Sequence, residues 1–178
     1  MSAKPPVIRS TSLPGLGLFL IVIMAYMFAS MAIGEKIAQI NPQFETLPVF
    51  IGLGIFFALF LGHVFLSRLF ITRNFHKAFK MLRRGENHKT AIPLFEQSFT
   101  FFQTHQWVDD ARAITLLSPA AMSYREMCLV NIAYCYSHLG DKDKAKHYYE
   151  KTIELFPNSS IASSALKMIE TFSNDNES

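Results

Sequence analysis

The chain has 178 residues, half of them hydrophobic, with 17 Phe, which is too apolar for one ordinary water-soluble domain. Its formal net charge is +3 and its pI about 8.9, but the positive charge is local: residues 68–84 carry six Lys/Arg and no acid, whereas residues 86–178 hold eight Lys/Arg against twelve Asp/Glu. That placement, with no aromatic interleaving in a strand pattern, excludes the basic pI as a sign of nucleic-acid binding.

After an N-terminal tail, residues 1–12, with Lys4 and Arg9, no charge occurs until Glu35. Residues 13–33, LPGLGLFLIVIMAYMFASMAI, supply the roughly 20 apolar residues that a helix needs to cross a hydrocarbon core. Residues 47–67, LPVFIGLGIFFALFLGHVFLS, do so again, with Thr46 placed to cap the helix and Pro48 in its first turn. Two buried core helices are the alternative, and a chain this short could not hide both. A cleaved signal peptide ending near Ser30–Ala32 is the rival reading of the first span. The connection 34–46 is an exterior loop with a turn signal at Asn41-Pro42, so the spans return as an antiparallel hairpin.

The six cations Arg68, Arg73, Lys77, Lys80, Arg83 and Arg84 form a belt at the membrane surface. By the positive-inside rule they hold both termini in the cytoplasm, and the expected location is a bacterial inner membrane. With neither Gly nor Pro from Phe65 to Leu82, the second span is expected to run directly into the first helix of the domain that follows. In that span Gly54, Ala58 and Gly62 form a small-xxx-small row that lets helices pack closely, within the hairpin or between two copies; Ala25 and Ala29 make a shorter one. His63 is the strongly polar group of the second span, expected to snorkel or to bond within the hairpin.

Beyond the belt the pattern is helical. In residues 131–157, NIAYCYSHLGDKDKAKHYYEKTIELFP, two amphipathic helices flank Gly140 as the turn and Asp141 as a cap, and Pro157 ends the second. Residues 126–159 resemble a tetratricopeptide repeat: Leu129, Ile132, Ala133, Tyr136, Gly140, Ala145, Tyr149, Thr152 and Pro157 stand at the family's packing positions. Leu129 for the usual Trp and Thr152 for the usual Ala are the departures. The repeat segment is placed at 123–159, restarting at Ser118-Pro119 or at the capping box Ser123-x-x-Glu126.

A degenerate copy lies at 74–102, with Ala78, Met81, Gly85, Ala91, Phe95 and Ser98 in order, Thr90 as the expected cap and Pro93 in the first turn. Between the copies, 103–122 is an insertion with a short helix around Trp107 to Ile114; residues 160–172 form a capping helix and 173–178 a frayed tail. The expected fold is all-α, a transmembrane helical hairpin followed by about two repeats and a cap.

The resemblance implies a protein or peptide partner held in a groove lined by the first helix of each repeat, which puts Met127, Val130, Tyr134, Ser137 and His138 on the binding face. Of the basic grip some family members use on a C-terminal carboxylate, Asn131 alone matches. Cys128 and Cys135, two turns apart on one helix, are expected as free buried thiols. His105, Asp109 and Asp110 make a weak metal set, and the chain carries no phosphate loop, nucleophile elbow or dinucleotide fingerprint. No enzyme, cofactor or metal is expected. The function expected is a membrane adaptor or assembly factor, the alternatives being a self-associating structural subunit, a homo-oligomer, or a small transporter or enzyme built on His63.

Overall fold

A computed structural model describes residues 11–40, 47–85 and 87–174. The side chains of Arg68, residues 47–49 and residues 172–174 lie outside that description, as do the whole of 1–10, 41–46, Glu86 and 175–178. The expected Asn41-Pro42 turn and Thr46 cap fall there. Helices make up the fold: α1 (Leu13–Ile40), α2 (Leu47–Leu66), α3 (Arg73–Arg83), α4 (His88–Thr104), α5 (Gln106–Asp110), α6 (Arg112–Thr115), α7 (Tyr124–His138), α8 (Lys142–Leu155) and α9 (Ser160–Asn174). They divide between two compact units, one of Thr11–Ile71 with Ala111–Ala121, the other of Thr72–Asp110 with 122–174.

In the first unit α1 and α2 pack as a hairpin. Ser12 caps α1, its Oγ accepting from the Gly15 amide at 3.0 Å. The helix does not stop at Ile33 as expected but continues to Ile40, because Glu35, Lys36, Ala38 and Gln39 are good helix formers and a single Gly34 does not break the ladder. The two helices approach closely at Gly52, where a Cβ would stand 3.0 Å from the Ser30 carbonyl. This corrects the expected packing row within the hairpin: Gly54 and Ala58 are exposed, and a Cβ at Gly54 or Gly62 would meet nothing within 4 Å. The row points away from α1. In the most apolar 18-residue stretches of α1 and α2 only 6% and 11% of residues are buried. Both helices are long and apolar enough to cross a membrane, and neither is wrapped as a core helix would be.

The expected direct run from the second span into the next helix is also corrected. A π turn, Ser67–Ile71, follows α2, and the chain bends at Thr72 before α3. Ser67 Oγ donates back to the Val64 carbonyl at 3.0 Å, the kind of side-chain competition that loosens a helix end.

In the second unit α3 and α4 pair, α7 lies against α4, α8 against α7, and α9 against α8. Aromatic rings join the first three: Phe75 meets Phe95 edge-on at 5.7 Å and Tyr124 at 5.0 Å, and Tyr124 stacks on Phe102 at 4.9 Å. Tyr148 of α8 donates to Glu96 of α4 at 3.1 Å. Gly85 and Gly140 end α3 and α7 with φ of +66° and +78°, conformations that cost a side-chain-bearing residue steric strain. Asp141 caps α8 by accepting from the Lys144 amide at 3.1 Å. At α4 the cap is Asn87, accepting from the Lys89 amide, not Thr90, so Pro93 is the sixth helical residue and removes one bond from the second turn. Pro93 is exposed, where water replaces the lost partner. The expected single helix at 107–114 is two short ones, α5 and α6, separated at Ala111, where the chain passes from one unit to the other.

Candidate functional site

The helix expected to line a binding groove, α7, is positioned at its start by two side chains. Ser123 Oγ accepts from the Glu126 amide at 3.1 Å, which caps α7 at Ser123. Asp109, fully buried, accepts from the Tyr124 and Arg125 amides at 2.7 and 3.0 Å and from Arg125 Nε at 3.1 Å. A carboxylate at a helix N-terminus satisfies orphan N–H groups and opposes the helix dipole. Asp110 pairs with Nη2 of the same guanidinium at 2.5 Å. The two carboxylates weighed as metal ligands are therefore structural, and no cluster of three metal-binding side chains occurs among the described residues.

Downstream, α7 is buried on most of its circumference: Cys128, Leu129, Val130, Asn131, Ile132, Ala133 and Cys135 all lie inside. Val130, expected on the groove, is only 1% exposed and shares a core cluster with Ala133, Tyr149, Ala162 and Leu166. The correction has a clear cause, since Ala162 and Leu166 belong to α9 and the terminal helix closes that part of the face. Asn131 is buried too; its Nδ2 donates to the Met127 carbonyl at 2.7 Å, and its Oδ1 has no partner among the described residues. Met127 is half-buried. The thiols are free and buried. Cys128 is pushed well above the usual thiol range by burial and then by Asp109, and Cys135 is pushed up to about 12 by burial, so neither is a ready nucleophile.

What remains open is the last turn. Ser137 and His138 are exposed and Tyr134 is half-buried. His138 stacks on His88 of α4 with ring centroids 4.7 Å apart and planes 7° from parallel, and Tyr134 lies 4.3 Å from His138 and 6.0 Å from His88. Burial and then the neighbouring His138 hold His88 below the ordinary imidazole range, while burial and then Cys135 raise the Tyr134 phenol. The result is a platform of three rings at one end of the α4–α7 pair. His88 could not be placed there from sequence, because its contact with His138 is made across 50 residues of chain.

The cationic residues Arg73, Lys77, Lys80, Arg83 and Arg84 are all exposed on α3 and its C-terminus, opposite the buried Phe75, Ala78 and Leu82. Arg68 lies outside the described side chains. His63 bonds within the hairpin unit: Nδ1 lies 2.7 Å from the Tyr26 hydroxyl and Nε2 3.0 Å from the Thr115 carbonyl. A carbonyl can only accept, so Nε2 carries the proton and Nδ1 accepts from Tyr26. The chain of bonds ends on a peptide oxygen, which has no proton to pass on.

Residues 127–159 match the tetratricopeptide repeat family. The chain contains a tetratricopeptide repeat. The match covers α7 from Met127 on and α8, with the turn at Gly140, and the α3–α4 hairpin lies outside it. No curated protein and no solved structure matches the chain significantly.

Proposed function

We propose that the chain is a membrane-anchored protein–protein interaction module, an adaptor or assembly factor, in which α1 and α2 cross the bilayer and the tetratricopeptide unit captures a protein or peptide on the cytoplasmic side. The repeat is an interaction fold, and the observation that carries the reading is the open ring platform of Tyr134, His88 and His138 beside Ser137 at the end of the matched repeat. Aromatic anchors of this kind commonly dominate binding, and the cationic face of α3 suits the anionic headgroups of an inner membrane. A second reading, a self-associating structural subunit, draws on the outward-facing Gly54 and Ala58.

The test is the double substitution Tyr134→Ala with His138→Ala, assayed by co-purification in mild detergent with partners identified by mass spectrometry. Each central ring contributes about 2 kcal/mol, so capture should fall more than tenfold while the far-ultraviolet spectrum and membrane insertion stay unchanged. Undiminished capture would remove the platform from the account and favour the self-associating reading.

A further inference from the structure

The segment between the two repeat hairpins is not all of one kind. Residues 111–121 belong to the same compact unit as α1 and α2. From Ala113 to Tyr124 the chain has no charged residue, a stretch too short to cross a bilayer and of the length typical of re-entrant or interfacial segments. The segment lies along the apolar part of the hairpin. At one end Thr11 and Ala120 form an antiparallel bridge and the Ser12 amide donates to the Pro119 carbonyl at 3.1 Å, at the very start of α1. At the other, the Thr115 carbonyl accepts from His63, whose ring also holds Tyr26. Tyr26 stands thirteen residues into α1, roughly 20 Å along its axis. The Tyr side chain leans back toward the helix start, yet Thr115 still lies beside the apolar run and not beyond its end.

Non-helical backbone survives at such a depth only where its polar groups are satisfied by protein. Four carbonyls of the segment have dedicated donors. Arg112 Nε and Nη2 donate to the carbonyls of Ala120 and Ala121 at 2.8 and 2.7 Å, His63 takes Thr115, and Ser12 takes Pro119. Leu117, with φ +48°, adopts a conformation unusual for a large side chain and turns the chain so that the Ser118 amide returns to the Arg112 carbonyl at 3.0 Å. On the outside Ile114 remains 42% exposed, and a shallow apolar groove runs past Thr115 between Gly62, Leu66 and Phe70.

We infer that residues 113–121 form a re-entrant segment that dips into the hydrocarbon layer beside α1 and α2 and presents Ile114 to lipid acyl chains, with Arg112 and His63 as the clamps that make its backbone tolerable there. The inference rests on the reading of α1 and α2 as membrane spans. Trp107, the single Trp and 66% exposed, allows a clean optical test in which it is replaced by Phe and a new Trp is placed at Ile114 or, on α2, at Phe57. Each variant is reconstituted in vesicles of phosphatidylcholine with or without bromine on the acyl chains. Ile114→Trp should lose at least half its emission to the brominated lipid, as Phe57→Trp does, and respond little to aqueous iodide. Quenching of Ile114→Trp by iodide alone, with Phe57→Trp quenched by lipid, would overturn the re-entrant segment and leave the spans standing. If Phe57→Trp itself ignores the lipid, the spans fail and the inference with them. Adding Arg112→Ala to Ile114→Trp bares two carbonyls and should shift quenching from lipid to iodide; unchanged lipid quenching would overturn the clamp.

Discussion

Replacing Asp109 by alanine should lower the stability of the repeat unit by about 3–5 kcal/mol, the usual consequence of breaking a buried ion pair from one side. The carboxylate is fully buried and Arg125 only 13% exposed, so the deletion takes the acceptor from Arg125 Nε and from two α7 amides at once. Neighbouring Asp110 reaches the same guanidinium but is 62% exposed, and Asp110→Ala should cost no more than about 1 kcal/mol. Urea unfolding of the full chain in detergent, followed by fluorescence of Trp107 two residues away, separates the two. Equal midpoints for both variants would show that Asp109 does not hold the start of α7.

Ala133→Asp should be as damaging from the opposite side of the same helix. Ala133 is fully buried and packs in one cluster with Val130, Tyr149, Ala162 and Leu166, so the substitution forces an unpaired carboxylate and extra volume between α7, α8 and α9. The expected cost is about 3 kcal/mol or more against a total stability of roughly 5–15 kcal/mol. Lys142→Asp, exposed in the first turn of α8, where a carboxylate suits the helix dipole, serves as the control and should melt with the parent. If circular dichroism in detergent shows the two variants melting together, the pairing of α7 with α8 and α9 is wrong.

Local chemistry made much of this readable in the sequence. Gly140 and Asp141 act at the α7–α8 turn as their residue types require, and the uncharged stretches at 13–33 and 47–67 lie in the two long apolar helices but for Ser67, which opens the π turn. The misses come from partners distant along the chain. Val130 has the spacing of a groove residue and is buried because α9 returns over it; Gly54 has the spacing of a packing row, whereas the contact is made by Gly52, two residues earlier and on the opposite side of α2. Helical periodicity gives the face a residue stands on but not which neighbour arrives there. The double role of Asp109 and Arg125 was likewise hidden, since a carboxylate pair in an insertion looks the same whether it holds a helix end or a cation.

The account depends most on the hairpin crossing the bilayer with its repeat unit inside, and accessibility labelling tests that directly. Cys128 and Cys135 are buried and give a dark background for Gln43→Cys in the connection between the spans and Ser173→Cys at the far end of the chain. An impermeant maleimide applied to intact cells should label position 43 and leave position 173 unreacted until the membrane is opened. Labelling of position 173 in intact cells, with position 43 dark, would contradict the account.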